Sequence, residues 1–146
     1  MLSFVLMVNR QGQTRLAQYY QALTVAEKAA LENDLIRRCL SRTENECSIL
    51  EHKQYKVIFR RYASLYFILG MENPNSNELS VLEFIHCIVE ALDKYFENVC
   101  ELDIMFNLEK AHIILDEMVV NGCIVETNKA NILDFITQMD NLSLRN

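Results

Sequence analysis

The sequence predicts an α/β fold of the segregated α+β kind: strands on either side of one helix, then helices to the end. Three observations predict it. β-rich runs fill residues 2–20 and 47–70, a segment with helical spacing separates them, and everything after Glu72–Asn77 reads as helix. That last boundary, "ENPNSN", is the one Pro/Asn-rich loop in the chain. At 146 residues the chain is long enough to bury a core, and residues 1–146 are expected to form a single domain. With 51% hydrophobic residues, one Pro and three Gly, there is little room for linkers.

The elements follow in order. Leu2–Asn9 is a strand, "RQGQ" (Arg10–Gln13) a turn containing Gly, and Thr14–Tyr20 a second strand, so the chain opens with a hairpin. Thr24 and Glu27 have the spacing of a capping box, followed by Ala26, Ala29, Ala30, Ile36, Cys39 and Leu40 at helical intervals. The polar "SRTENE" ends that helix, and "CSILEH" makes a third strand. "VIFRRYASLYFILG", Val57–Gly70, supplies the fourth and fifth. Its alternation places Tyr55, Val57 and Phe59 on one face and Lys56, Ile58 and Arg60 on the other, with Arg61–Ser64 as a hairpin connection made without Gly. A helix over Glu78–Glu97 comes next, then a short turn near Cys100–Phe106. A helix over Leu108–Val120 should end at Asn121-Gly122, with Gly122 in the left-handed C′ position, and a last helix runs over about Lys129–Met139.

Helix 78–97 carries more apolar surface than one sheet face can use. Glu83, His86, Glu90, Asp93, Lys94 and Glu97 form a narrow polar stripe, and nearly all the rest is apolar. A single contact needs a stripe of about 100°. Either the helix is sandwiched between the sheet and the next helix, or its extra flank meets a partner.

Charge and motifs exclude several functions. Residues 1–75 hold ten Lys/Arg against seven Asp/Glu, whereas residues 76–146 hold four against thirteen. A net charge of −6 argues against general nucleic-acid binding, which needs a basic surface. The five cysteines are scattered without a CxxC pair, as in a reduced cytosolic protein lacking disulfides and zinc. The opening "MLSFVLMVNR" has no basic residue before its apolar run and is far too short to span a bilayer, so it reads as a strand. No nucleotide loop, nucleophile elbow or metal-site motif is present, and Asp116-Glu117 reads as the solvated face of a helix. Nothing calls for an enzyme, a metal or another cofactor. Arg60 and Arg61 have two readings, a solvated turn with packed stems or a grip on phosphate or carboxylate.

"VIFRRYASLYF" resembles the signature of the clathrin-adaptor small chains, the sigma subunits of heterotetrameric adaptor-protein complexes. The resemblance extends through "MVNRQGQTRLAQYY", "FIHCIVEALDKYFENVCELDIMFNLEKAHIILDEM" and "NGCIVETN". Within the family, "NRQGQTRL" and "NGCIVETN" look most like the group serving the fourth adaptor complex at the trans-Golgi network, while Phe59 replaces a tyrosine usual there. The resemblance implies a longin-like fold, a five-stranded antiparallel sheet flanked by helices on both faces. It implies a non-catalytic subunit that docks on an epsilon-like large subunit beside beta-type and medium subunits, reaching membranes only through the complex. It also implies a pocket for acidic dileucine signals in cargo tails. Ala63, Leu65, Val89, Asn98, Val99 and Ile104 would take the leucines, and Arg15 would meet the acidic residue. A stand-alone longin-type regulatory subunit of another trafficking complex is the alternative.

Overall fold

The computed structural model describes residues 2–41, 49–62, 64–72, 78–96, 107–120 and 123–124. Strand β1 (Leu2–Asn9) and strand β2 (Thr14–Tyr19) form the opening hairpin, and helix α1 (Val25–Leu40) follows. Strands β3 (Ile49–His52), β4 (Tyr55–Tyr62) and β5 (Leu65–Glu72) come next. Helix α2 (Glu78–Phe96), helix α3 (Leu108–Met118) and the short strands β6 (Val119–Val120) and β7 (Cys123–Ile124) complete the described chain. The main sheet is antiparallel with strand order β2-β1-β5-β4-β3, so the first strand lies beside the last. All eight residues of β1 are buried, as expected of an inner strand covered on both faces. The expected last helix near Lys129–Met139 and the turn near Cys100–Phe106 lie outside the described residues.

Local chemistry sets the first helix. The Thr24 side chain accepts a hydrogen bond from the Glu27 backbone N–H at 3.1 Å, meeting one of the donors that a helix N-terminus leaves unpaired. Leu31, Leu35 and Cys39 then face the sheet, each four residues from the next, on one side of the helix.

Alternation along the strands divides the interior into two cores. Phe4, Leu6, Val8, Leu50, Tyr55, Val57, Phe59 and Ile68 meet α1 on one face. Val5, Met7, Leu16, Ile58, Leu65, Phe67, Leu69 and Met71 meet α2 and α3 on the other. Leu2 joins the second core although Phe4 joins the first, because the register slips between them. Gly70 faces the α1 side, and a Cβ there would lie 2.1 Å from the Phe4 ring. The ring occupies the space that a side chain would need, and it stacks edge-on against Tyr55 with centroids 5.4 Å apart.

Two expected boundaries are corrected. The fourth strand does not end at Arg60: β4 continues to Tyr62, with Arg61 opposite Tyr66 and Tyr62 opposite Leu65. Only Ala63 and Ser64 separate the strands, and Ala63 lies outside the described residues. Pairing with β5 extends the strand through residues whose charge suggested a turn. The helix expected over Leu108–Val120 ends at Met118, because Val119 and Val120 pair with Ile124 and Cys123. The two β-branched residues suit a strand, and the Asn121-Gly122 between the pairs is a hairpin signal in sequence.

α2 resolves the two readings of its apolar surplus. Val81, Phe84, Ile85, Ile88, Val89, Ala91 and Leu92 are buried, and Ala111, Ile114, Leu115 and Met118 of α3 share their core. The helix lies on β4 and β5 beside α3, which itself packs against β2, so sheet and neighbouring helix together take up its apolar surface. Of its large apolar residues, Leu79 is the one left exposed. Among the described residues, no helix is long and apolar enough to cross a membrane.

Candidate functional site

The turn after β1 decides where Arg15 points. Asn9 is 2% exposed, and its Oδ1 accepts the backbone N–H groups of Gln11 at 3.0 Å and Gln13 at 2.8 Å. Gly12 adopts φ +86°, a conformation that side chains other than glycine's disfavour, and donates its N–H to the Asn9 carbonyl. Asn9 Nδ2 then donates to Gln13 Oε1 at 3.0 Å, and Arg15 Nη2 donates to the same oxygen at 2.8 Å. The ladder steps from Met7↔Leu16 to Val8↔Thr14, so the bulge falls at Arg15. Such a bulge frees a side chain from the alternation of the pleat.

Leu65 and Val89 both lie in the core on the α2 face. They belong to one core, with Leu65 1% and Val89 7% exposed. Both are therefore packed in this conformation, and a ligand side chain would have to displace neighbours to reach them. Leu65 lies opposite Asn9 on β1, and Thr14 opposite Val8. With about 4.8 Å between strands, Arg15 and Leu65 are about 10 Å apart across the sheet. Ala63, Asn98, Val99 and Ile104 lie outside the described residues.

Tyr62, exposed at the end of β4, pairs with Leu65 on the same face. Burial raises its phenol above its ordinary value, and the Asp93 carboxylate of α2 adds to the shift by charge and hydrogen bond. The pair ties the end of β4 to the last turns of α2 beside Leu65 and Val89. Sequence reading missed this pair: Tyr62 lay in the expected turn and Asp93 on the expected solvated stripe.

Arg60 and Arg61 do not make a shared grip. Adjacent strand residues point to opposite faces, so Arg60 lies on the side of Ile58 and α2, and Arg61 on the side of Phe59 and α1. Both are exposed.

The opposite end of the α1 face is more polar. A cleft of about 390 Å³ is lined by Leu23, Ala26, Glu27, Ala30, Leu31, Lys53, Gln54 and Tyr55. Nearby, Arg38 of α1 donates to the Glu51 carbonyl at 2.8 Å and stands 3.4 Å from His52 Nδ1. Arginine only donates, so Nδ1 accepts and the proton sits on Nε2, which is buried without a partner among the described residues. Burial lowers the His52 pKa first; Asp34 opposes it, and Arg38 and Lys53 add to it.

Comparison with known proteins places these features in a family. The family described as clathrin adaptor complex small chain matches residues 1–143. An AP-4 complex subunit sigma of Arabidopsis thaliana is 61% identical over 139 residues, covering 95% of this chain and 96% of the relative. The AP-4 complex subunit sigma-1 of Homo sapiens is 53% identical over 143 residues, covering 98% and 99%. An AP-1 complex subunit sigma-2 of Dictyostelium discoideum is 48% identical over 139 residues, covering 95% and 90%. In three dimensions, a chain in a homology model of the full-length AP-3 complex in a stretched open conformation superposes with TM-score 0.77 at 26% identity, covering 99% of this chain and 96% of that one.

Proposed function

Because the chain belongs to the clathrin adaptor complex small-chain family, we propose that it is the sigma subunit of the fourth type of adaptor coat complex. In this reading it assembles with an epsilon-like large subunit, a beta-type subunit and a medium subunit. The heterotetramer then sorts cargo on the cytosolic face of the trans-Golgi network. The carrying observation is the grade of similarity: AP-4 sigma relatives stand at 53–61% identity, and the AP-1 sigma relatives at 42–48%. Affinity purification with quantitation of the co-purified chains tests it. Two large chains and one medium chain in equal amounts are expected; recovery with a single unrelated partner would support a stand-alone longin-type regulator instead.

The cargo role is the finer part of the proposal. Arg15, Ala63, Leu65, Val89, Asn98, Val99 and Ile104 would hold an acidic dileucine signal, with Arg15 meeting the carboxylate. Support comes from Leu65 and Val89 sharing one core and from Leu65 lying about 10 Å from Arg15 by strand spacing, within reach of an extended peptide of four or five residues. Because both are packed, the binding state requires Leu65 and Val89 to open, which lowers the affinity by the fraction that is open. Binding of a synthetic acidic dileucine peptide to the assembled complex, compared with Val89→Asp and Arg15→Ser, tests the pocket. Loss in both variants is expected, and equal binding by all three proteins removes the site.

A further inference from the structure

We propose that Arg38 guards a free edge of the sheet: its guanidinium fills the hydrogen-bonding position that a strand from a second copy of this chain would take on β3. Three observations carry it.

The first is the exposed edge. β3 is the last strand of the described sheet, paired there with β4. Its two-residue connection to β4, Lys53-Gln54, makes His52 and Tyr55 a pair that exchanges backbone hydrogen bonds. Such pairs alternate along an antiparallel ladder, so Glu51 and Ile49 turn their N–H and C=O groups away from β4. Outward groups on a strand edge are a template for another strand, and Glu51 is exposed.

The second is what occupies that template. From the last turn of α1, Arg38 Nη1 donates to the Glu51 carbonyl at 2.8 Å, the distance at which a neighbouring strand's N–H would stand. The same nitrogen lies 3.4 Å from Nδ1 of the buried His52, so two adjacent residues of the edge hold the head. A planar guanidinium there takes the space of a backbone running about 4.8 Å from β3. A second copy carries the same edge, and the two are self-complementary about a two-fold axis.

The third is the opposite edge, which is closed by a different device. The bulge at Arg15 interrupts the ladder of β2 and increases its twist.

Self-association of the full chain, measured by sedimentation velocity over a concentration series, tests the guard. Arg38→Met keeps the packed stem and removes the donor, and Arg38→Ala removes both. Each is expected to self-associate about ten- to a hundredfold more tightly than the wild type, the worth of one hydrogen bond from a charged donor. Adding Glu51→Pro removes an outward N–H, spares the ladder to β4 and should return association to the wild-type level. Hydrogen exchange locates the contact: at equal concentration the Glu51 amide should exchange about tenfold more slowly in Arg38→Met than in the wild type. Association no tighter than wild type in both Arg38 variants overturns the proposal, as does a Glu51→Pro double variant that associates as tightly as its parent. Unchanged exchange at Glu51 overturns it too, because the contact then lies elsewhere. Loss of the fold in both variants, read by circular dichroism, also overturns it and makes Arg38 a tether between α1 and β3.

Discussion

The two faces of the sheet solve the same burial problem differently. On one, α2 and α3 lie together over β1, β2, β4 and β5 on a shared apolar core, and the polar pairs Lys56–Glu78 and Tyr62–Asp93 link strand to helix at its margin. On the other, α1 is the one described helix over the strands, and its margins are polar. Tyr19 donates to Glu32 at 2.7 Å, Tyr55 donates to Gln21 at 2.8 Å, and Gln21 donates in turn to Glu72. A single helix leaves sheet edges partly wet, so the side chains there end in hydroxyls and amides that satisfy one another. The difference teaches that the apolar surplus of α2 is consumed within the chain, by α3.

The strongest way to break this comparison is to charge the doubly covered face. Ile85 is 1% exposed, so Ile85→Asp buries an unpaired carboxylate and should abolish folding, a loss of more than about 4 kcal/mol. Val25, 85% exposed on the first turn of α1, should accept aspartate within about 0.5 kcal/mol. Circular dichroism and soluble yield of the two variants separate them, and a folded Ile85→Asp would show that α2 does not face the core.

The seal made by α3 is the next target. Leu115→Ala and Leu35→Ala each remove a fully buried leucine, one from each core, and each should cost about 2–5 kcal/mol in denaturant unfolding. A Leu115→Ala cost below 1 kcal/mol would show that α3 closes the core only loosely, and would return the flank of α2 to a partner.

Gly70→Ala probes the singly covered face from inside. Its methyl would collide with the Phe4 ring, and about 1–3 kcal/mol of destabilisation is expected. Adding Phe4→Leu should recover part of that loss in the double variant, because the smaller side chain vacates the space. A double variant no better than the sum of its parts would mean the strain lies elsewhere.

The smallest effect expected is that of pH. The His52 pKa is lowered in the fold, so below 6.5 the unfolded chain binds the proton more readily. The stability it supports is present above 6.5 and is lost as pH falls from there toward the folded value. Unfolding curves across that window should fall more steeply for the wild type than for His52→Gln. Parallel slopes would mean the imidazole is equally accessible in both states.

How much was legible depends on the range of the interaction that decides each feature. Arg61 and Tyr62 looked like a turn because charge and the lack of an alternating apolar neighbour are local signals, whereas pairing with Tyr66 and Leu65 is not. Val119 and Val120 looked helical because they continue a helical spacing, and a two-residue strand is too short to show a period. In the candidate site, resemblance supplied Arg15, Leu65 and Val89, and composition alone pointed to none of them. Gln13 carried a faint signal, an amide two residues from an arginine beside a glycine turn, but its link to Asn9 appears only when the turn closes.

The sequence by itself determined the helix start at Thr24, the alternation that splits the strands between two faces, and the positions of the five strands along the chain. Each depends on residues within a few positions of one another, where spacing and geometry are coupled directly. Only the tertiary structure decided that α3 rather than a partner covers α2, that Phe4 fills the gap at Gly70, and that Arg15 leaves the ladder. Those outcomes depend on which distant surfaces meet. The free energy of that choice comes from burial and hydrogen bonding between segments that carry no mark of one another in sequence.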